Sequence, residues 1–218
     1  MDFAKNRYVV IRNAISRELA DFCYFYFLNK RSVAKTLHNH NQLHLYGSTF
    51  GSWNDSQVPQ TYSHYSDIVM ETLLLKVKPV MEKHTNLKLV ETYSYARIYK
   101  KGDILHRHKD RPSCEISTTM NLGGPLWPIY IEPDPSKGHI ENGKYISENT
   151  KGVEVILNPG DMLVYRGCEL EHWRESFDSQ DCAQVFLHYN DATNPNALVN
   201  KFDTRPHLGL PTNFRQTS

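Results

Sequence analysis

Between residues 87 and 189 the chain loses its helical period and becomes a series of short alternating runs cut by turn residues. Tyr93, Tyr95, Arg97 and Tyr99 alternate along the first run. Further runs cover residues 114–122, 127–131, 153–157, 162–165, 170–174 and 183–189. Lys101-Gly102, Gly123-Gly124-Pro125 and Asn158-Pro159-Gly160-Asp161 separate some of them. Period-two alternation with Gly, Pro and Asn breaks at short intervals predicts antiparallel strands. The preceding part has a different rhythm. Residues 8–12 read as a short strand, and Ser16 can cap a helix starting at Arg17, with Leu19, Phe22, Cys23 and Tyr26 at helical spacing. A second helix is expected from Ser66 to Thr85-Asn86, with Met70, Leu73, Leu74, Val77, Val80 and Met81 on one face. Two helices followed by about eight short strands predict an α+β fold, a double-stranded β-helix (jelly roll) barrel with the N-terminal helices packed on one face.

The expected organisation is a single domain over residues 1–190, with helices within 16–85, a jelly-roll core over 87–189, and an irregular tail over 191–218. Residues 37–64 read as a long loop, 132–152 as an excursion or hairpin, and 170–189 as a hairpin turning at 177–181. Hydrophobic residues make up 39% of the chain, enough for a core, and the net charge of +1 gives no electrostatic case for nucleic acid or an anionic membrane. No apolar run is long enough to span a bilayer. The first residues lack the apolar core of a signal peptide, and the four cysteines form no close pair; both point to a cytoplasmic, reducing location.

The chemistry-bearing residues fall inside the β region. His108 and Asp110 stand two apart, so on an extended strand they face the same way. With His172 they offer two imidazoles and one carboxylate, the ligand set of a mononuclear non-haem Fe(II) site with open positions. Taken alone, His-x-Asp is more often a polar strand end with a surface ion pair. His106 could be mistaken for a ligand, but Glu115 lies too far along the chain for a cupin site, so His106 reads as solvated or at the entrance. His38, His40 and His44 have no carboxylate partner and read as loop polarity. Arg111 and Glu115 could pair to brace Asp110, or form a surface ion pair. Thr119 and Asn121 share one face of a strand.

The order Tyr99, Gly102, His108, Asp110, then Gly160-Asp161 and His172, resembles the prolyl-4-hydroxylase-like branch of the 2-oxoglutarate/Fe(II)-dependent dioxygenases over residues 8–189. The resemblance implies iron held by His108, Asp110 and His172, with 2-oxoglutarate and dioxygen as cosubstrates and ascorbate as an accessory reductant. It implies conversion of 2-oxoglutarate to succinate and CO2 with hydroxylation of a C–H bond. Asp110, absent from related halogenases, favours hydroxylation. The expected substrate is a peptidyl residue such as proline, with a free amino acid or small metabolite as the alternative, and a cupin-type metalloprotein not using 2-oxoglutarate behind both. The branch places a Lys or Arg nine to eleven residues after the distal His. Here Asp181, Cys182 and Ala183 stand there, so Arg174 is the first expectation for the remote carboxylate and Arg97, sharing a face with Tyr99, the second. The Gly-Gly-Glu-Thr of the branch is replaced by Gly-Gly-Pro-Leu at 123–126. Tyr46, Trp53, Trp127 and Tyr130 are aromatic residues that could stack on a substrate ring, their alternative role being core packing. The segments 37–64 and 132–152 could fold over an extended peptide.

Overall fold

The structure is a computed structural model that describes residues 2–43 and 49–216. Its elements are α1 (Phe3–Asn6), β1 (Tyr8–Ile11), α2 (Arg17–Asn39), β2 (Tyr62–Tyr65), α3 (Ile68–Thr85), β3 (Leu89–Tyr99) and β4 (Leu105–His108). Then come β5 (Ile116–Gly123), β6 (Ile129–Ile131), β7 (His139–Glu141), β8 (Lys144–Ile146), β9 (Val153–Val155), β10 (Met162–Arg166), β11 (His172–Arg174) and β12 (Cys182–Asp191). A six-stranded antiparallel sheet, β1-β10-β5-β12-β3-β2, faces a four-stranded one, β4-β11-β6-β9. The expected α+β jelly roll is present.

The helices start where the sequence places stop and start signals. Ser16 Oγ accepts the Leu19 N–H at 3.2 Å, and Asp67 Oδ1 accepts that of Met70 at 3.1 Å. Asn86 ends α3 in the left-handed conformation with φ 58°. Both helices lie on the outer face of the large sheet: Cys23, Phe27, Met70, Leu74 and Met81 share one apolar core with Met120, Leu122, Val185 and Leu187.

Four local expectations are corrected. The buried stripe of α2 is Ala20, Cys23, Phe27 and Ala34, and Phe22 is exposed, because the true stripe runs one position off the one read from Phe22. α2 continues to Asn39, as no Gly or Pro interrupts it. Residues 62–65 form an edge strand, Tyr62 opposite Ile98 and Tyr65 opposite Tyr95. Finally, β11 and β12 are not a hairpin: β11 pairs with β4 and β6, whereas β12 pairs with β3 and β5. The chain between them crosses from one sheet to the other. Period-two patterning alone cannot say which sheet a strand joins.

The residues after β12 are irregular apart from short turns at Lys201–Thr204 and Thr212–Phe214. They are nonetheless anchored. Phe202, Asp203 and Thr204 all have positive φ, 53°, 56° and 65°, which is costly for residues other than glycine. That turn buries Asp203, which accepts from Tyr65 Oη at 2.7 Å and from both Arg111 terminal nitrogens at 2.8 Å. Arg205 pairs with Glu71 of α3 at 2.8 Å, both fully buried.

Candidate metal centre

The sheet crossing determines the site. β11 lies antiparallel to β4 with His172 directly opposite His108, and the two rings are 4.2 Å apart between centroids. Just past the end of β4, the Asp110 N–H donates to Gly167 O at 2.8 Å, tying the end of that strand to the turn after β10. His108 Nε2 then lies 3.7 Å and His172 Nε2 3.6 Å from the same oxygen, Asp110 Oδ1. One ligand atom from each of the three residues falls within 4.8 Å of the others.

The proton inventory suits a cation. His108 Nδ1 is 2.8 Å from His106 O and His172 Nδ1 is 3.0 Å from Leu170 O. A carbonyl oxygen only accepts, so both Nδ1 atoms carry the hydrogen and both Nε2 atoms present lone pairs to the shared point. Burial, helped by His172, pulls the His108 imidazole down to about 4, so it is neutral at pH 7. Burial pushes the Asp110 carboxyl upward, but the imidazoles, His172 first, outweigh it and hold it below the usual carboxylate range. Asp110 Oδ2 accepts from Ser117 Oγ at 2.7 Å, which leaves Oδ1 facing the two imidazoles. Gly167 completes the fit: a Cβ there would meet Asp110 Oδ2 at 2.3 Å and Cys114 O at 2.5 Å. The donor set, its protonation and its close packing therefore fit one divalent transition metal.

The centre opens on a cleft of about 520 Å³ between the sheets, lined among others by Asp55, Gln57, Tyr93, Arg97, Tyr165 and His188. Arg97 does face it, but Asp55 and Gln57 already hold its guanidinium, Asp55 through both carboxylate oxygens. Tyr99 is fully buried and accepts from Arg97 Nη1 at 3.3 Å. Arg174 is different. It is buried, donates to Trp127 O at 2.5 Å, Thr119 Oγ1 at 3.2 Å and Gln184 Oε1 at 3.3 Å, and has no carboxylate partner among the described residues. Its Nε has no hydrogen-bond partner at all, and burial pulls its ionisation downward.

Other expectations fare unevenly. Trp127 is a core residue packed on Tyr99, Phe177 and the Arg174 guanidinium. Tyr130 points to the outer face of the small sheet, stacked on Trp173 with its hydroxyl on Glu154. Neither lines the cleft. Trp53 packs on Tyr62. Arg111 and Glu115 do not pair: Arg111 is held by Asp203, and Glu115 accepts from Asn190 and Asn194. His106 and His40 are exposed, and His38 bonds the Leu43 carbonyl. His44 and Tyr46 lie outside the described residues. The segment 54–57 does reach the cleft, while 132–152 supplies none of its lining. Sequence reasoning missed Asp55, Tyr165, Ser117 and His188. The alternation of Gln184, Phe186 and His188 along β12 was the available sign for the last.

No family model and no curated protein matches this sequence. Solved structures do. A prolyl-4-hydroxylase from Pseudomonas putida superposes with a TM-score of 0.54 at 11% identity over 88% of this chain and 96% of that one. HygX from Streptomyces hygroscopicus, with nickel and 2-oxoglutarate bound, gives 0.58 at 14% identity over 99% and 92%. The viral collagen prolyl hydroxylase from Paramecium Bursaria Chlorella virus-1, in its 2-oxoglutarate complex, gives 0.52 at 10% identity over 84% and 95%. The chain thus shares its fold, over nearly its whole length, with two prolyl hydroxylases and with a protein that binds 2-oxoglutarate.

Proposed function

We propose that this protein is an Fe(II)- and 2-oxoglutarate-dependent oxygenase that hydroxylates a C–H bond and converts 2-oxoglutarate to succinate and CO2. The observation that carries the reading is the convergence of His108 Nε2, His172 Nε2 and Asp110 Oδ1 on one point. These three residues would hold the iron. Bound there, iron and 2-oxoglutarate together supply activation of dioxygen. The rest belongs to the chain. Arg174, with Thr119 beside it and Tyr99 close by, receives the remote carboxylate of the cosubstrate, the anion its unpaired guanidinium lacks. Arg97 takes the lesser part of shaping the wall, since Asp55 neutralises it. Phe186 and Leu105 keep the lining apolar next to the ligands.

The reacting C–H bond belongs to a peptidyl residue such as proline or to a small polar molecule. Of the two segments that could cover an extended peptide, residues 54–57 reach the cleft, whereas 132–152 supplies none of its lining. HygX, of the same fold, has been crystallised with hygromycin B. No helix among the described residues is long and apolar enough to cross a membrane, and the cysteines are free thiols, which supports a reducing, cytoplasmic setting. The test is a mass-spectrometric screen of proline peptides, free amino acids and small hydroxylated compounds with Fe(II) and 2-oxoglutarate. A gain of one oxygen with matching succinate supports the reading. Absence of 2-oxoglutarate turnover, alone or with any compound, refutes it.

A further inference from the structure

His188 stands in the wall of the cleft, 6% exposed, with its ring 4.5 Å from that of Tyr93. Its Nδ1 is 2.9 Å from Ser117 Oγ, which is 2.7 Å from Asp110 Oδ2 and 2.9 Å from Cys114 O. Ser117 has a single hydroxyl proton. The ionised carboxylate is the stronger acceptor, so the proton goes to Asp110. Ser117 Oγ then shows His188 only lone pairs, and Nδ1 must carry the imidazole hydrogen. In the neutral ring this leaves Nε2 as an acceptor, and among the described residues nothing donates to it.

The charged groups around it are already engaged. Arg97 is held by Asp55 and Gln57, Lys109 donates to Pro135 O and Gly138 O at 2.9 Å, and Arg111 is held by Asp203. The Tyr93 hydroxyl meets Cys114 Sγ at 3.0 Å. The Tyr165 hydroxyl also lines the cleft, but His188 Nε2 is an imidazole acceptor left without a donor there.

We infer that His188 is a specificity-determining residue, accepting a hydrogen bond from an O–H or N–H of the substrate beside the reacting carbon. The substrate accordingly carries a neutral or cationic donor there, an alcohol, amide or amine, and not a carboxylate or phosphate. This rests on the oxygenase reading for the position of the reacting carbon.

The test uses the full chain labelled with ¹⁵N-histidine, loaded with Zn(II) and 2-oxoglutarate at pH 8, where imidazole is neutral. The His188 signals are identified by their loss in His188→Gln. The expected spectrum shows His188 protonated on Nδ1. Adding cyclohexanol or cyclohexylamine shifts its Nε2 resonance, and cyclohexanecarboxylate does not. An Nε2–H tautomer, a shift produced by the carboxylate alone, or no shift with the alcohol and the amine overturns the inference. The last result is what a histidine that merely braces Ser117 would give. Failure of the oxygenase reading shows separately: the His108 and His172 Nε2 signals would not respond to Zn(II), or would not change further when 2-oxoglutarate is added, whatever His188 does.

Discussion

Replacing Arg174 with methionine removes the proposed cosubstrate anchor while keeping most of its length. The guanidinium is 1% exposed, keeps three neutral acceptors, and has no counter-charge. Losing one partner of a desolvated charge pair costs about 2–5 kcal/mol. At about 1.4 kcal/mol per tenfold, that weakens 2-oxoglutarate about 30-fold to several-thousand-fold. The assay is thermal unfolding with Ni(II) bound, with and without 2-oxoglutarate. At about 100 times its Kd, the cosubstrate stabilises the parent protein by about 2.7 kcal/mol. For a chain of this size that raises Tm by about 5–10 °C. At the same concentration, Arg174→Met should gain less than about 1 kcal/mol. Without 2-oxoglutarate the variant should unfold near the parent temperature, because an unpaired buried cation contributes little to stability. The control is Arg97→Met, which strands Asp55 and lowers Tm but should keep the 2-oxoglutarate response. A full response in Arg174→Met, or its loss in folded Arg97→Met, refutes the assignment.

Gly167→Ala drives a methyl group into Asp110 Oδ2 and Cys114 O, and should weaken Ni(II) binding about 10–100-fold by calorimetry. Glu71→Ala breaks the buried pair with Arg205, should cost about 3–5 kcal/mol in urea unfolding, and should expose the residues after β12 to protease. The metal-free protein should lose stability in acid. Burial lowers His108 and His188 to about 4 in the folded state, below the 6.5 of a free imidazole, so the unfolded chain binds the extra protons. Stability is then complete above pH 6.5 and falls as pH drops toward 4; His188→Gln should flatten that slope in urea titrations.

The sequence made the candidate ligands legible because a metal demands specific residue types at spacings a strand enforces. His108, Asp110 and His172 could be named before any geometry, as could the caps Ser16 and Asn86. Arg174 was reachable by elimination from its place two residues after His172. What stayed hidden depended on pairing between distant segments. Asp55 matters only because segment 54–57 folds onto β3. His188 looked like any strand histidine until β12 paired with β5 and set it beside Ser117. The false hairpin over 170–189 failed for the same reason, since strand period does not encode sheet membership. Arg111 could not be assigned because its partner, Asp203, is delivered by a left-handed turn of three non-glycine residues that no local preference announces.

The account stands on three side chains holding one metal. Crystals soaked in Zn(II) and measured across its absorption edge test this directly. One strong anomalous peak is expected in the cleft, about 2.0–2.2 Å from His108 Nε2, His172 Nε2 and an Asp110 oxygen. The peak should be absent in Asp110→Ala. A peak at other residues, or no peak while the three side chains stay close together, would contradict it.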